Sequence, residues 1–244
     1  MTHKPITGIY TFTCCQGCQF TILFLDNLLE VMDKLDIKNF DLLKEKKQSE
    51  KYDLVFVEGA ITTKTEVRQL KAIRKKAKFL VSLGACACHG GIPAMRNFIE
   101  NKALEKYVYN QRMLDDSLPA AAIDQYVKVD YYMYGCPIIK KEFVDFVDSF
   151  CNGIHFKEFA GPVCDECPRR GKNCLLLEKK PCLGAISHGG CYAICPIDNI
   201  PCILCRGPLP KANYAAEVNL FKKFGLEEKD IVNKLNKFKH VELK

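Results

Sequence analysis

Tryptophan is missing from the 244-residue sequence, histidine occurs only five times, and no uninterrupted apolar run reaches 18 residues. The last absence excludes a membrane-spanning helix of the usual kind. The opening stretch, MTHKPITGIY, lacks the basic-then-apolar pattern of a secretory signal, which argues against secretion and so against a disulfide framework. There is no repeat of fixed period and no low-complexity tract. With 48% apolar and 27% charged residues, the chain has ample material for a globular core. What stands out is cysteine, 15 in all, an odd and crowded set in a chain expected to be cytoplasmic. Such a set points to metal binding.

Four apolar stretches read as strands covered on both faces: residues 6–13, 52–60, 78–85 and 129–135. They are short, rich in β-branched and aromatic residues, and continuous rather than alternating. Helical patterns lie between them, in QFTILFLDNLLEVM (19–32), in KTEVRQLKAIRKKA, with Val67, Leu70 and Ile73 at helical spacing, and in KKEFVDFVDSF, with Phe143, Phe146, Val147 and Phe150. This alternation predicts a doubly wound α/β domain with a parallel sheet over residues 1–158. The composition changes near Gly161-Pro162. From there to Pro208, eight cysteines stand among glycines and prolines, and so apolar-poor a segment needs metals or cross-links to hold a fold. Residues 159–210 are therefore expected to be a cysteine-rich metal-binding segment. Two amphipathic helices follow within residues 211–244.

In a parallel open sheet the carboxyl ends of all strands share one edge, where such folds bind ligands. Cys15 and Cys18 follow the first predicted strand, Glu58 ends the second, Cys86 the third and Cys136 the fourth. Four thiols gathered at one rim fit either zinc or a four-iron cluster. The flanking glycines (Gly17, Gly84, Gly90, Gly91, Gly135) favour the bulkier inorganic core, because they let the backbone approach it. Glu58 could tune such a group, relay protons or ligate; otherwise it caps the loop ITTKTE or pairs with a lysine.

The tail runs C-x2-C-x6-C-x7-C and then C-x3-C-P-x5-C-x2-C. Its C-x3-C-P fragment matches the end of a bacterial ferredoxin run. Eight cysteines make two sets of four, most simply Cys164, Cys167, Cys174 and Cys182 against Cys191, Cys195, Cys202 and Cys205, with a crossover between sets left open. Zinc ribbons are the alternative. Three 4Fe-4S clusters on twelve thiolates would contribute roughly −6, leaving little of the formal +7. The lysines are spread over segments such as KEKKQSEK and KAIRKKAK rather than gathered in one stripe, so they read as solvated surface and no nucleic-acid partner is expected.

In order along the chain, CCQGC, VEGAI, LGACACHGGIPAMRN and YGCP resemble the small subunit of nickel–iron hydrogenases and the related small subunit of complex I. The tail PVCDECPRRGKNC through CILCRGP looks like one branch, the delta or gamma subunits of soluble sulfhydrogenases and coenzyme-F420-reducing hydrogenases. The resemblance implies a flavodoxin-like domain, a proximal 4Fe-4S cluster on Cys15, Cys18, Cys86 and Cys136, and two clusters in the tail. It implies a large partner subunit with the nickel–iron centre, and a downstream flavin- or iron–sulfur-containing subunit. The lack of a twin-arginine signal suits a cytoplasmic branch. The hydrogenase pattern selects Cys15 and Cys18 and leaves Cys14 spare, whereas the complex I pattern would select Cys14 and Cys15. GCPI stands where GCPP is commoner, with no consequence expected for ligation. Cys88 is expected to point away from the rim on an extended chain, Cys151 to be structural, and His89 and His188 to be secondary candidates. The competing functions are a complex-I-like oxidoreductase subunit without hydrogen chemistry, and a zinc-stabilised binding module.

Overall fold

The computed structural model describes residues 4–43, 51–107 and 115–238. The lysine-rich stretch 44–50, read above as solvated surface, lies outside the described residues. The chain divides into two compact units, Met1–Phe156 and Lys157–Lys244.

The first unit contains strands β1 (Ile6–Thr11), β2 (Asp36–Phe40), β3 (Tyr52–Glu58), β4 (Ile61–Thr63), β5 (Ala77–Leu83), β6 (Ser117–Ala121) and β7 (Tyr131–Met133). Five of them form a sheet in the order β2-β1-β3-β5-β7, with every pair parallel. This is the flavodoxin-like order, whose switch point lies between β1 and β3. The helices are α1 (Gly17–Leu23), α2 (Leu28–Asp33), α3 (Lys64–Lys76), α4 (Gly84–His89), α5 (Asn101–Tyr107) and α6 (Lys140–Cys151).

The continuous apolar runs are explained by burial on both faces. Ile9, Phe56, Val81 and Tyr131 lie in register across four strands. They pack with Ile22, Val31, Phe143, Phe146 and Val147 on one side of the sheet. The alternate residues Val55, Val57 and Leu80 pack with Leu70, Ala87 and Ile123 on the other. Helix α3 starts on a capping box, in which the Thr63 side chain accepts from the Glu66 amide and the Glu66 carboxylate accepts from the Thr63 amide.

Several local readings of the sequence are corrected. The pattern over 19–32 is two helices, α1 and α2, because Asp26 and Asn27 compete with helical hydrogen bonding and Asn27 takes the cap position of α2. Strand β2 was not expected, its sequence DIKNF being too polar. As an edge strand it keeps Lys38 ion-paired to Asp36, and its Asn39 amide donates to the Ile9 carbonyl at 3.0 Å. The antiparallel pair β4–β6 was also unforeseen. The third strand ends at Leu83, so Cys86 and Cys88 lie on a helical turn rather than an extended chain.

The second unit is built from helices α7 (Val163–Glu166), α8 (Ile194–Ile197), α9 (Tyr214–Lys223) and α10 (Glu228–Leu235) joined by turns. Both C-terminal helices turn apolar residues onto the cysteine-rich segment: Phe221, Ile231 and Leu235 pack with Leu183, Ile186 and Leu204. A smaller cluster of Val163, Leu175, Cys182, Ala193 and Cys202 mixes thiols with aliphatic side chains. Among the described residues, no helix is long and apolar enough to cross a membrane.

Candidate metal centres

The sheet geometry brings the first group of thiols to one rim. Beyond β1 the chain is pinned to the end of β3 by the Phe12 amide, which donates to the Glu58 carbonyl at 2.8 Å, and by a bridge between Thr13 and Ala60. Gln16 then takes a left-handed turn (φ 62°) that starts α1 and sets Cys18 inside it. Glu58, only 2% exposed, turns its carboxylate to this helix start and accepts from the Cys18 and Gln19 amides at 3.0 and 3.3 Å. The capping of the ITTKTE loop is done by Glu66. Glu58 instead holds the segment bearing Cys14, Cys15 and Cys18 against the switch point.

Cys86 is placed by the turn from β5 into α4. Gly84 adopts φ +81°, and a Cβ there would run into the Cys18 sulfur. Gly91, at φ +54°, lies so close to Cys86 that a Cβ would sit 2.9 Å from its sulfur and 2.7 Å from its Cα. The Gly135 carbonyl accepts from the Ala85 amide at 2.7 Å, which ties the segment bearing Cys136 to the segment bearing Cys86. Cys15 and Cys136 are exposed, Cys14 and Cys86 are partly buried, and Cys18 is buried.

The electrostatics show these groups to be neighbours. Burial pushes the Cys86 thiol up to about 12, reinforced by Cys136, Cys15 and Glu58. Burial and then Glu58 raise both Cys14 and Cys18, with Cys86 adding to each. Glu58 is itself raised by burial, against the opposing pull of the two amides. Cys14, Cys18, Cys86 and Glu58, gathered at one partly dry rim, all resist ionising, a conflict that bound iron would relieve by holding coordinated thiols deprotonated.

Cys88 is outside this group, but for a different reason from the one expected. Its sulfur is buried under α4, 3.2 Å from the Ser82 hydroxyl and 3.7 Å from the Met133 carbonyl. Cys151 ends α6, with its sulfur 3.7 Å from the Lys34 carbonyl. His89 stacks on Tyr134 with ring centres 5.3 Å apart. The His188 amide donates to the Gly207 carbonyl at 3.0 Å.

In the second unit, Cys164, Cys167, Cys174 and Cys182 line one cavity together with Gly184, Leu175, Arg169 and Pro196. A Cβ on Gly184 would lie 3.4 and 3.6 Å from the sulfurs of Cys164 and Cys182. Burial raises Cys164 to about 12, with Cys182, Cys167 and Cys174 adding to it. In the other set, Cys205 adds to the burial that raises Cys191 and Cys202, and burial followed by Asp198 raises Cys195. The sets touch where the Cys202 amide donates to the Cys182 sulfur at 3.2 Å.

Sequence reasoning missed two charged residues of this unit. Glu166 accepts from the amides of Gly190, Cys191 and Tyr192 at 2.8, 3.0 and 2.9 Å. Arg206, 4% exposed, donates from Nε to the Gly189 carbonyl at 2.7 Å. Nothing in the spacing CDEC or CRGP signals either contact.

Among the described residues, no three His, Cys, Asp or Glu side chains converge on a single ion-sized point. A four-iron core does not require that, because each thiolate binds its own iron. Thiol donors, glycines against their sulfurs and amides nearby fit a compact inorganic cluster.

Fold and site define a cysteine-rich α/β protein, with thiols gathered at the rim of a parallel sheet and again in a second, turn-built unit. Residues 15–150 match the family described as NADH ubiquinone oxidoreductase, 20 Kd subunit. The sulfhydrogenase 2 subunit delta of Pyrococcus furiosus is 34% identical over 95% of this chain and 98% of its own. An iron-sulfur subunit of the F420-non-reducing hydrogenase of Archaeoglobus profundus is 28% identical over 80% of each chain. Among solved structures, a chain of an NAD+-reducing NiFe-hydrogenase in its H2-reduced state is 27% identical, with a TM-score of 0.57, over 64% of this chain and 96% of that one. This chain therefore belongs to the family of the 20 kDa subunit shared by complex I and nickel–iron hydrogenases, and the two curated relatives just described are subunits of hydrogenases.

Proposed function

We propose that this chain is the electron-transfer small subunit of a cytoplasmic nickel–iron hydrogenase, carrying three 4Fe-4S clusters between a nickel–iron large subunit and a downstream flavin- or iron–sulfur-containing subunit. The observation that carries this reading is the convergence of Cys15, Cys18, Cys86 and Cys136 at the switch-point rim, in a chain whose full-length relative is a sulfhydrogenase subunit. Bound clusters of this type accept and release single electrons. The chain's own part is to hold thiolates, limit water and set potential through burial and hydrogen bonding.

In this reading Cys15, Cys18, Cys86 and Cys136 hold the proximal cluster. The cavity-lining Cys164, Cys167, Cys174 and Cys182 hold a second, and Cys191, Cys195, Cys202 and Cys205 a third. Glu58 fixes the start of α1 and contributes negative charge at the rim. A surface for the large subunit is suggested by exposed apolar side chains on the segments that carry the rim thiols. Phe20 lies on α1 and Phe24 caps its end, and Ile92, Met95 and Phe98 follow Gly91, all 41–67% exposed. So many large apolar groups on two segments next in sequence to rim thiols favour burial against another protein.

Anaerobic affinity purification of the tagged chain from its native host tests the partnership. A stoichiometric second chain containing nickel is expected, together with hydrogen-dependent dye reduction by the complex. Iron-loaded chain that purifies with a nickel-free partner and shows no hydrogen activity would favour a complex-I-like role instead.

A further inference from the structure

Glu166 belongs by sequence to the first tail set, standing between Cys164 and Cys167 on α7, yet its carboxylate serves the second. Oε1 accepts from the amides of Gly190 and Cys191, and Oε2 from that of Tyr192. Left-handed backbone at Gly190 (φ 93°), Tyr192 (57°) and Ala193 (50°) turns these consecutive amides toward one anion. A non-glycine side chain is strained in that conformation, so the curl at Tyr192 and Ala193 needs such an anchor. The other side of the loop is held by the Arg206 guanidinium on the Gly189 carbonyl.

Two effects on Cys191 follow. Amides beside a cluster ordinarily donate to its sulfurs and stabilise the reduced form; here three of them are directed to a carboxylate. That carboxylate also brings negative charge to within 3.5 Å of the Cys191 sulfur. Both effects disfavour adding an electron. We propose that Glu166 is a positioning residue: it clasps the two cysteine sets together and holds the cluster bound by Cys191 at a lower potential than its thiolates alone would set. This rests on the reading of Cys191 as a cluster ligand.

The test is an EPR-monitored redox titration of the anaerobically purified complex, using the signal that Cys191→Ser alters as the marker. Glu166→Gln keeps an acceptor for the amides and removes the charge. It is expected to retain its iron and to move only the marked signal to a more positive midpoint. Asp165→Asn removes the same charge one residue away, where the carboxylate pairs with Arg170 at the surface, and is expected to leave the marked midpoint in place. If Glu166→Gln loses iron, a loss confined to the marked signal still supports the clasp, and loss of all cluster signals together overturns it. Unchanged midpoints at full iron content, or an equal shift from Asp165→Asn, overturn it as well. Wild-type complex without any iron–sulfur signal would sink both this inference and the electron-transfer reading beneath it.

Discussion

Substituting Cys86 by serine is expected to remove about four of about 12 iron atoms per chain and to lower hydrogen-dependent acceptor reduction at least about 100-fold. A serine hydroxyl at this rim is a poor ligand, since the burial and neighbouring charge that already push the Cys86 thiol up to about 12 oppose an alkoxide still more strongly. The large subunit's chemistry would be intact but cut off from the electron path. Cys88→Ser is the matched control, two residues along the same helix, with its sulfur on Ser82 rather than at the rim. It is expected to leave iron content and turnover near wild type. Equal losses from the two substitutions would mean that α4 was simply damaged, and the assignment of Cys86 would fail.

The second large effect is expected from Gly84→Ala. At φ +81° an added methyl costs about 1–2 kcal/mol in backbone strain, and it would also occupy the space of the Cys18 sulfur. Cys18 is only 6% exposed, so its sulfur has little room to move aside. The variant is expected to lose the rim cluster's iron and to unfold at clearly lower denaturant. Gly171→Ala separates strain from collision: it has φ +97° with nothing within 4 Å of an added Cβ. That variant is expected to keep full iron and lose only about 1 kcal/mol. If both variants behave alike in iron content, the close approach of Gly84 to Cys18 has no functional weight.

The sheet was legible because both its faces are buried, so β1, β3, β5 and β7 appear as unbroken apolar runs rather than alternations. The rim followed from the strands, since parallel strand ends must meet at one edge. Strand β2 escaped because an edge strand tolerates polar side chains, with Lys38 paired to Asp36 and Asn39 Nδ2 donating to the Ile9 carbonyl of β1. Helix α4 escaped because GACACH is too short to show a period, and its start depends on the backbone freedom of Gly84. For the same reason Cys88 does not stand on the expected extended chain, and its sulfur lies on the Ser82 hydroxyl instead. Spacing offered a simplest split of the tail thiols but left a crossover open, because most of them stand on turns that show no period. The cavity shared by Cys164, Cys167, Cys174 and Cys182 is a product of those turns. Glu166 lay furthest from sequence logic, because its partners are backbone amides 24–26 residues away.

The central claim is that this chain holds iron–sulfur clusters on thiolates converging at the sheet rim and in the second unit. Metal and acid-labile sulfide analysis of the anaerobically purified complex, with the metal normalised to this chain after its partners are resolved, tests it most directly. The account gives about 12 iron and about 12 sulfide on this chain. Zinc bound in place of iron, with no acid-labile sulfide, would contradict it and leave a metal-stapled binding protein.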